Sequence, residues 1–125
     1  MSAPTRAGAA LSMTLLMIVS AHAGGDAARG EVKFQDCAPC HKLGAGANDV
    51  GPTLHAIFGR EAAEIPDFRY TPAMKRSGIT WTPDSLDKFI TDPQAMVPGN
   101  RMPYAGMANA ADRADLIAYL EKATK

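Results

Sequence analysis

The chain has 125 residues, and its 13 lysines and arginines are balanced by 13 acidic side chains, so the formal net charge is zero. This length fits one domain. The balanced charge excludes the strong positive field of a protein that binds nucleic acid or an anionic membrane electrostatically. Only two cysteines and three histidines are present, so any metal or redox chemistry must depend on a few side chains.

The first 23 residues have the pattern of an export signal. Residues 11–20 form an apolar run that is too short to cross a bilayer as a helix. Ala21-His22-Ala23 then provides the small-x-small pattern of a cleavage site, so we predict a cleavable signal peptide, cleavage before Gly24 and export to the periplasm. The alternatives are an uncleaved membrane anchor or a buried helix. The predicted mature domain is residues 24–125.

A helix is predicted from about residue 27 to residue 36, because Asp26 is a suitable N-cap and helix-forming residues follow it. Residues 42–52 are rich in glycine and small side chains, which indicates a loop. A turn or short helix follows and ends at Gly59. Residues 60–70 are predicted to be irregular around Pro66.

Two helices are predicted to begin with the same Thr-Pro pair. Thr71 and Thr82 are the N-caps, and each is followed by proline at the first helical position. Gly78 ends the first helix and Pro93 ends the second. Residues 93–103 contain three prolines and a glycine, so the sequence predicts neither regular helix nor strand there.

The last predicted helix begins near residue 109 and carries an apolar stripe with charged residues opposite it. No segment alternates with a period of two for long enough to predict a strand. The expected fold class is therefore all-α, with short helices joined by long loops. Long loops are uncommon in a compact domain unless a cofactor occupies its centre. The stripe consists of Leu116, Ile117, Tyr119 and Leu120.

The two cysteines lie three positions apart and are followed directly by a histidine, in the order Cys37, Cys40, His41. Zinc would need four converging ligands, and the candidates with His55 have unsuitable spacing because Cys40 and His41 are adjacent. A redox dithiol usually begins a helix after a strand, whereas this pair follows a predicted helix. A plain structural disulfide is the other alternative without haem. Covalent haem attachment explains all three positions, with two thioether bonds and His41 as an axial iron ligand.

The sixth iron ligand decides between two functions. An open position would give a peroxidase or a gas-binding protein, whereas a methionine ligand would leave a protein that only transfers electrons. The candidates are Met74, Met96, Met102 and Met107. Met102 is the best of these, because prolines and a glycine surround it in an irregular segment where backbone shape aims the side chain.

Five ordered motifs resemble those of class I c-type cytochromes, including mitochondrial cytochrome c and its bacterial periplasmic relatives. They are CAPCH, GPTLHAIFGR, SGITW, PGNRM and DLIAYLEKAT, at residues 37–41, 51–60, 77–81, 98–102 and 115–124. The resemblance implies a small cytochrome c fold wrapped around one covalently bound haem c. It also implies that Met102 is the distal ligand and that Gly30 and Phe34 meet the C-terminal helix near Tyr119.

The resemblance further implies haem contacts outside the two iron ligands. The Pro52 carbonyl is expected to fix the Nδ1 proton of His41. Arg60, Tyr70 and Trp81 are expected near the haem propionates, where Asn100 could also donate a hydrogen bond. Where the family often has polar residues on the distal side, this chain has Met74 and Phe89, so a second thioether could reach the haem pocket.

The resulting prediction is a monomeric, soluble one-electron carrier and not an enzyme. Its transient partners would be redox proteins such as a cytochrome bc-type complex and a terminal oxidase or reductase. The alternatives are a peroxidase or gas-binding protein with an open iron site, a disulfide oxidoreductase without haem, and a carrier that retains residues 1–23 as an anchor.

Overall fold

The computed structural model describes residues 1–4, 8 and 24–125 of the chain. The apolar run and cleavage motif of the predicted export signal, residues 11–23, lie outside the described residues. The helices are α1 (Ala27–Lys33), α2 (Pro72–Arg76), α3 (Pro83–Thr91), α4 (Pro93–Met96) and α5 (Ala110–Ala123). A 3₁₀ turn, Phe34–Asp36, extends α1.

The all-α prediction is confirmed. Among the described residues the only β-type pairing is an isolated bridge between Glu61 and Thr80. No helix in this part of the chain is both long enough and apolar enough to cross a membrane. The long segment between the 3₁₀ turn and α2 consists of turns and bends, including the predicted loop and the turn that ends at Gly59.

Side-chain caps fix the starts of the central helices as predicted. The Thr71 hydroxyl accepts a hydrogen bond from the backbone N–H of Met74 at 3.2 Å. Thr82 and Ser85 form a reciprocal capping box, in which each side chain accepts from the backbone of the other. The Asn109 side chain caps α5 by accepting the Asp112 N–H. These caps supply partners for helix N–H groups that have none inside the helix.

The prediction that residues 93–103 contain no regular helix is wrong at its beginning. Residues 93–96 form α4, and the Asp92 side chain caps it by accepting from the Ala95 N–H at 3.1 Å. A proline at the first helical position lacks only an N–H that would have no helical partner. Pro93 therefore ends α3 and begins α4, and the chain turns irregular only from Val97.

Helices α1 and α5 cross in direct contact. A Cβ atom at Gly30 would overlap the Asp115 carbonyl and lie 2.8 Å from the Tyr119 Cβ, so only glycine allows this approach. The Phe34 and Tyr119 rings pack with their centroids 5.4 Å apart. The predicted meeting of Gly30 and Phe34 with the C-terminal helix near Tyr119 is confirmed.

The opposite side of α5 faces α3 and the interior of the molecule. The side chains that the two helices bury there are apolar and form one cluster with those of the loops. Six such side chains are buried there, namely Leu86, Phe89, Ile90, Leu116, Ile117 and Leu120. All of them except Ile117 also line a cavity that the loops enclose.

Candidate functional site

A cavity of about 350 Å³ lies between α3, α5 and the loops. Its wall includes Cys37, Cys40 and His41 from the turn after α1, and Met102 from the segment after α4. These four residues come from segments about sixty positions apart in the sequence. The fold therefore brings the predicted attachment motif and the predicted distal ligand to one cavity.

The His41 ring is held from two sides. Its Nδ1 atom lies 2.8 Å from the Pro52 carbonyl oxygen, so this nitrogen carries the proton and Nε2 keeps its lone pair. On the other side, a Cβ atom at Gly51 would lie 2.7 Å from Nδ1 and 2.9 Å from Nε2. The Gly51-Pro52 pair thus supplies both the hydrogen bond and the space that the ring occupies.

The charge state of His41 suits a metal ligand. Burial lowers the pKa of His41, the hydrogen bond to Pro52 partly opposes this, and the positive charge of Arg60 lowers the pKa further. A lowered pKa keeps the imidazole neutral, which is the form that coordinates a metal.

The two thiols are unpaired and half-buried, on a tight turn. The backbone N–H groups of Cys40 and His41 both donate to the Cys37 carbonyl, at 3.1 and 2.9 Å. Burial raises the pKa of Cys37 to about 11, and the negative charges of Asp36 and Cys40 add to the effect. Thiol–disulfide exchange requires an accessible thiolate of lowered pKa, so this environment opposes the disulfide oxidoreductase alternative.

A zinc site has no support in the described part of the chain. No group of three or more histidine, cysteine and acidic side chains comes together there in a way that could hold a metal ion. His55 is absent from the cavity wall, and its backbone carbonyl instead accepts a hydrogen bond from Arg60 at 2.8 Å.

Two of the four candidate methionines reach the cavity. Met102 and Met74 both line it. Met107 is buried in the hydrophobic core and Met96 packs against that core, and neither lies in the cavity wall. The structure therefore reduces the candidate thioether ligands to Met102 and Met74.

The residues predicted near the haem propionates all line the same cavity. Arg60 donates to the carbonyls of Thr53 and His55, at 2.9 and 2.8 Å, so its guanidinium also fixes the segment after Pro52. The rings of Trp81 and Phe89 meet edge to face with centroids 5.1 Å apart. Burial raises the pKa of Tyr70 and keeps its hydroxyl protonated. Asn100 also lines the cavity.

Comparison with known proteins identifies the family. The sequence model of the family described as Cytochrome c matches residues 27–124. The chain belongs to the cytochrome c family. It is 42% identical over 113 residues to cytochrome c2 of Rhodomicrobium vannielii, which covers 90% of each chain. It is 45% identical over 105 residues to cytochrome c2 of Blastochloris viridis, which covers 83% of each.

A eukaryotic cytochrome c is nearly as similar. The chain is 41% identical over 105 residues to cytochrome c of Gibberella zeae, covering 82% of this chain and 99% of that protein. The predicted membership of the class I c-type cytochromes is confirmed, and with it the assignment as an electron-transfer protein that is not an enzyme.

The cavity of this cytochrome fits the covalently attached haem c that characterises the family. Its wall is largely apolar, as a porphyrin requires, and it presents two unpaired thiols. A neutral imidazole with a free Nε2 lone pair and a thioether sulfur complete a donor set typical of cytochrome iron. The chain carries one haem c, and its two cysteines fit a Cys-x-x-Cys-His motif.

Several parts of this site were not predicted from the sequence. Gly51 lies within one of the family motifs, but its role in making room for the His41 ring depends on a contact across the turn. Phe68 and Tyr104 also line the cavity, from irregular segments in which no periodicity marks an inward-facing position. Only their aromatic character in otherwise polar loops could have indicated a buried surface.

Proposed function

We propose that Cys37 and Cys40 form the two thioether bonds to haem and that His41 and Met102 are its axial ligands. The supporting observation is that all four side chains line one cavity, although the motif and Met102 are far apart in the chain. The Pro52 hydrogen bond supports His41, because it leaves Nε2 as the nitrogen with a free lone pair.

When bound, haem c supplies a one-electron iron couple. A thioether ligand from Met102 favours the reduced state relative to harder ligands and so raises the reduction potential. If His41 and Met102 both hold the iron, no coordination position would remain for a substrate. The function supported best is therefore a one-electron carrier.

Arg60, Tyr70 and Trp81 are the proposed partners of the haem propionates. Burial lowers the pKa of Arg60, and the nearby Tyr70 and Glu64 side chains oppose this effect. A buried guanidinium is stabilised when an anion lies close to it. A propionate carboxylate in the cavity would provide that anion, which supports Arg60 as its main electrostatic partner.

The proposed location is the periplasm, where the carrier is soluble after cleavage before Gly24. The N-terminal residue of the purified protein tests this, because Gly24 at the terminus supports cleavage and Met1 supports a retained anchor. The named relatives from Rhodomicrobium and Blastochloris are cytochromes c2. The proposed partners are a cytochrome bc-type complex as donor and a terminal oxidase or reductase as acceptor.

The surface charge predicts how such partners are recognised. Lys42, Lys88 and Arg101 are exposed, but the Lys42 ammonium lies 3.6 Å from the Asp49 carboxylate, which reduces its effect. We expect a small cationic patch, and hence an electron-transfer rate with an oxidase that depends weakly on salt. A rate that falls steeply with added salt would refute the small patch.

Carbon monoxide binding separates the carrier from a peroxidase or gas-binding protein. We expect the reduced protein to bind no carbon monoxide at neutral pH, because Met102 occupies the sixth position. The Met102→Ala variant is expected to bind it readily, whereas Met107→Ala, which alters a core methionine outside the cavity wall, is not. Ready binding by the unaltered protein would overturn the proposed function.

A further inference from the structure

The segment that carries Met102 is held by two amide side chains. Asn100 is only 7% exposed. Its Nδ2 group donates to the carbonyls of Pro93 and Val97, at 2.8 and 2.9 Å. Its Oδ1 atom accepts the backbone N–H of Met102 at 2.9 Å. One buried side chain therefore connects helix α4 to the backbone of Met102.

Gln94 makes the second connection, from the surface of α4. Its Nε2 group donates to the Asn100 carbonyl at 2.7 Å, and its Oε1 atom accepts the Gly99 N–H at 3.3 Å. Gln94 and Asn100, which we call the amide clamp, thus make five hydrogen bonds. Three of them join residues 99–100 to α4, one joins Asn100 to Val97, and one joins Asn100 to the Met102 N–H. The α4 helix itself is capped by Asp92 and has Pro93 buried at its start.

The clamp constrains the beginning of an otherwise irregular segment. Residues 97–109 contain no helix or strand, and Gly99 has a φ of +87°, which favours glycine. A backbone with so few regular hydrogen bonds opens locally more easily than a helix does. An amide side chain that closes such a segment limits how far the Met102 sulfur can move out of the cavity.

The same contacts oppose the role that the sequence suggested for Asn100. A hydrogen bond to a haem propionate would need a free amide hydrogen. Both Nδ2 hydrogens already have carbonyl partners, at Pro93 and Val97. Releasing either one would remove one of the two hydrogen bonds that its carbonyl accepts, because the Val97 N–H also donates to Pro93 and the Asn100 N–H also donates to Val97. The Asn100 amide is therefore already bonded within the protein, which opposes the expected propionate contact.

We infer that the amide clamp is a positioning device that sets how readily an external ligand displaces Met102 from the iron. This inference rests on the proposed role of Met102 as the distal ligand. An external ligand binds only to the fraction of molecules in which Met102 has moved away, so its apparent affinity rises as that fraction rises. Loosening the clamp should therefore tighten the binding of an external ligand without adding any contact to it.

Imidazole binding to the ferric protein, followed by absorption, measures this fraction. We expect Asn100→Ala to tighten apparent imidazole binding roughly tenfold, since the net loss of one or two hydrogen bonds corresponds to about one decade. Asn100→Thr should lie between Asn100→Ala and the unaltered protein, because a hydroxyl can accept the Met102 N–H but cannot replace both donors. Gln94→Glu should have a smaller effect, because this exposed side chain loses only its donor.

Asn109→Ala is the matched control. Asn109 caps α5 by accepting the Asp112 N–H at 3.0 Å and has no part in the clamp. We expect it to lower the unfolding temperature and to leave imidazole binding unchanged. Amide hydrogen exchange adds a second readout, because the Met102 N–H should exchange faster in Asn100→Ala and at the ordinary rate in Asn109→Ala.

The outcomes separate the clamp from the proposed function. Unchanged imidazole binding and Met102 exchange in a folded Asn100→Ala variant would overturn the clamp. If that variant does not fold, equal imidazole binding by Gln94→Glu and the unaltered protein would overturn it as well. Failure of the proposed function has a separate readout, which is a methionine–iron charge-transfer band that survives in Met102→Ala.

Discussion

Two regions of this cytochrome are stabilised in different ways. The crossing of α1 and α5 is closed by protein alone, with Gly30 against the Asp115 backbone and Phe34 against Tyr119. The loop region surrounds a cavity of about 350 Å³, and its interior must be completed by haem. One face of α5 therefore belongs to a self-contained contact, whereas the other faces a space that only the cofactor fills.

Both regions contain a glycine at a position where another part of the chain approaches its backbone closely. At Gly30 the missing side chain lets two helix backbones touch, and at Gly51 it gives the His41 ring its place. The same residue type therefore stabilises the fold in one region and orients a ligand in the other. Substitutions at the two positions should separate these roles.

The largest expected effect follows from removing both attachment points. In a Cys37→Ala, Cys40→Ala double variant we expect no haem to remain after extraction with acidified organic solvent. The loop region should then lose fixed packing, because its apolar cavity wall would face water. Near-ultraviolet circular dichroism should decrease more than the far-ultraviolet helix signal. Haem that resists extraction from the double variant would refute these attachment points.

Replacing Gly30 with alanine should destabilise the crossing of α1 and α5. Gly30→Ala places a Cβ atom on the Asp115 carbonyl, so the helices must separate, and we expect a loss of about 3 kcal/mol in the free energy of unfolding. Denaturant unfolding measures it. Gly44→Ala is the control, since its Cβ atom would lie 3.6 Å from Ala47, an ordinary contact, and should change stability by less than about 0.5 kcal/mol. Equal stability of the two variants would contradict this packing.

Replacing Gly51 with alanine should change the position of the His41 ring. Gly51→Ala places a Cβ atom 2.7 Å from the Nδ1 atom of His41, so the ring must shift away from Pro52. We expect about 2 kcal/mol of destabilisation, together with a changed reduction potential and visible spectrum. Gly30→Ala, once folded, should keep both spectrum and potential. A Gly51→Ala protein with an unaltered spectrum and potential would show that the ring is not held in this way.

The smallest effect concerns acid stability at the crossing of α1 and α5. The hydrogen bond from the Arg29 side chain, with that from the Asp26 N–H, holds the pKa of Asp115 below its ordinary value of 3.8. A lowered pKa in the folded state stabilises the protein above about pH 3.8, and this contribution is lost as the pH falls through the folded value.

Asp115→Asn should therefore lower the unfolding temperature at neutral pH, and its difference from the unaltered protein should shrink in acid. Asp67→Asn, at an exposed carboxylate, serves as the control and should leave the acid dependence unchanged. A difference for Asp115→Asn that is the same at pH 7 and pH 3 would contradict the role of its charge.

Much of the fold could be predicted because local signals agree with the final packing. Thr71 and Thr82 act as the caps that their Thr-Pro pairs indicate. The rule that proline breaks a helix does not predict α4, because a proline that follows an N-cap such as Asp92 can also begin a helix.

The part of the site that depends on local sequence could also be predicted. The Cys-x-x-Cys-His motif is local, so its chemistry is visible in the sequence. The presence of Met74 in the cavity wall was expected only from the family resemblance, because it depends on how distant segments pack. The hydrogen bonds of Asn100 depend on the path of the backbone between α4 and Met102. Neither has a periodic pattern that the sequence could reveal.

The most direct test of the central claim is the methionine–iron charge-transfer band of the ferric protein. We expect the band to be present in the unaltered protein and in Met74→Ala and to be abolished in Met102→Ala. A band that survives in Met102→Ala and disappears in Met74→Ala would show that Met74 is the ligand. A band absent from the unaltered protein would contradict the His41 and Met102 ligation on which the electron-carrier mechanism depends.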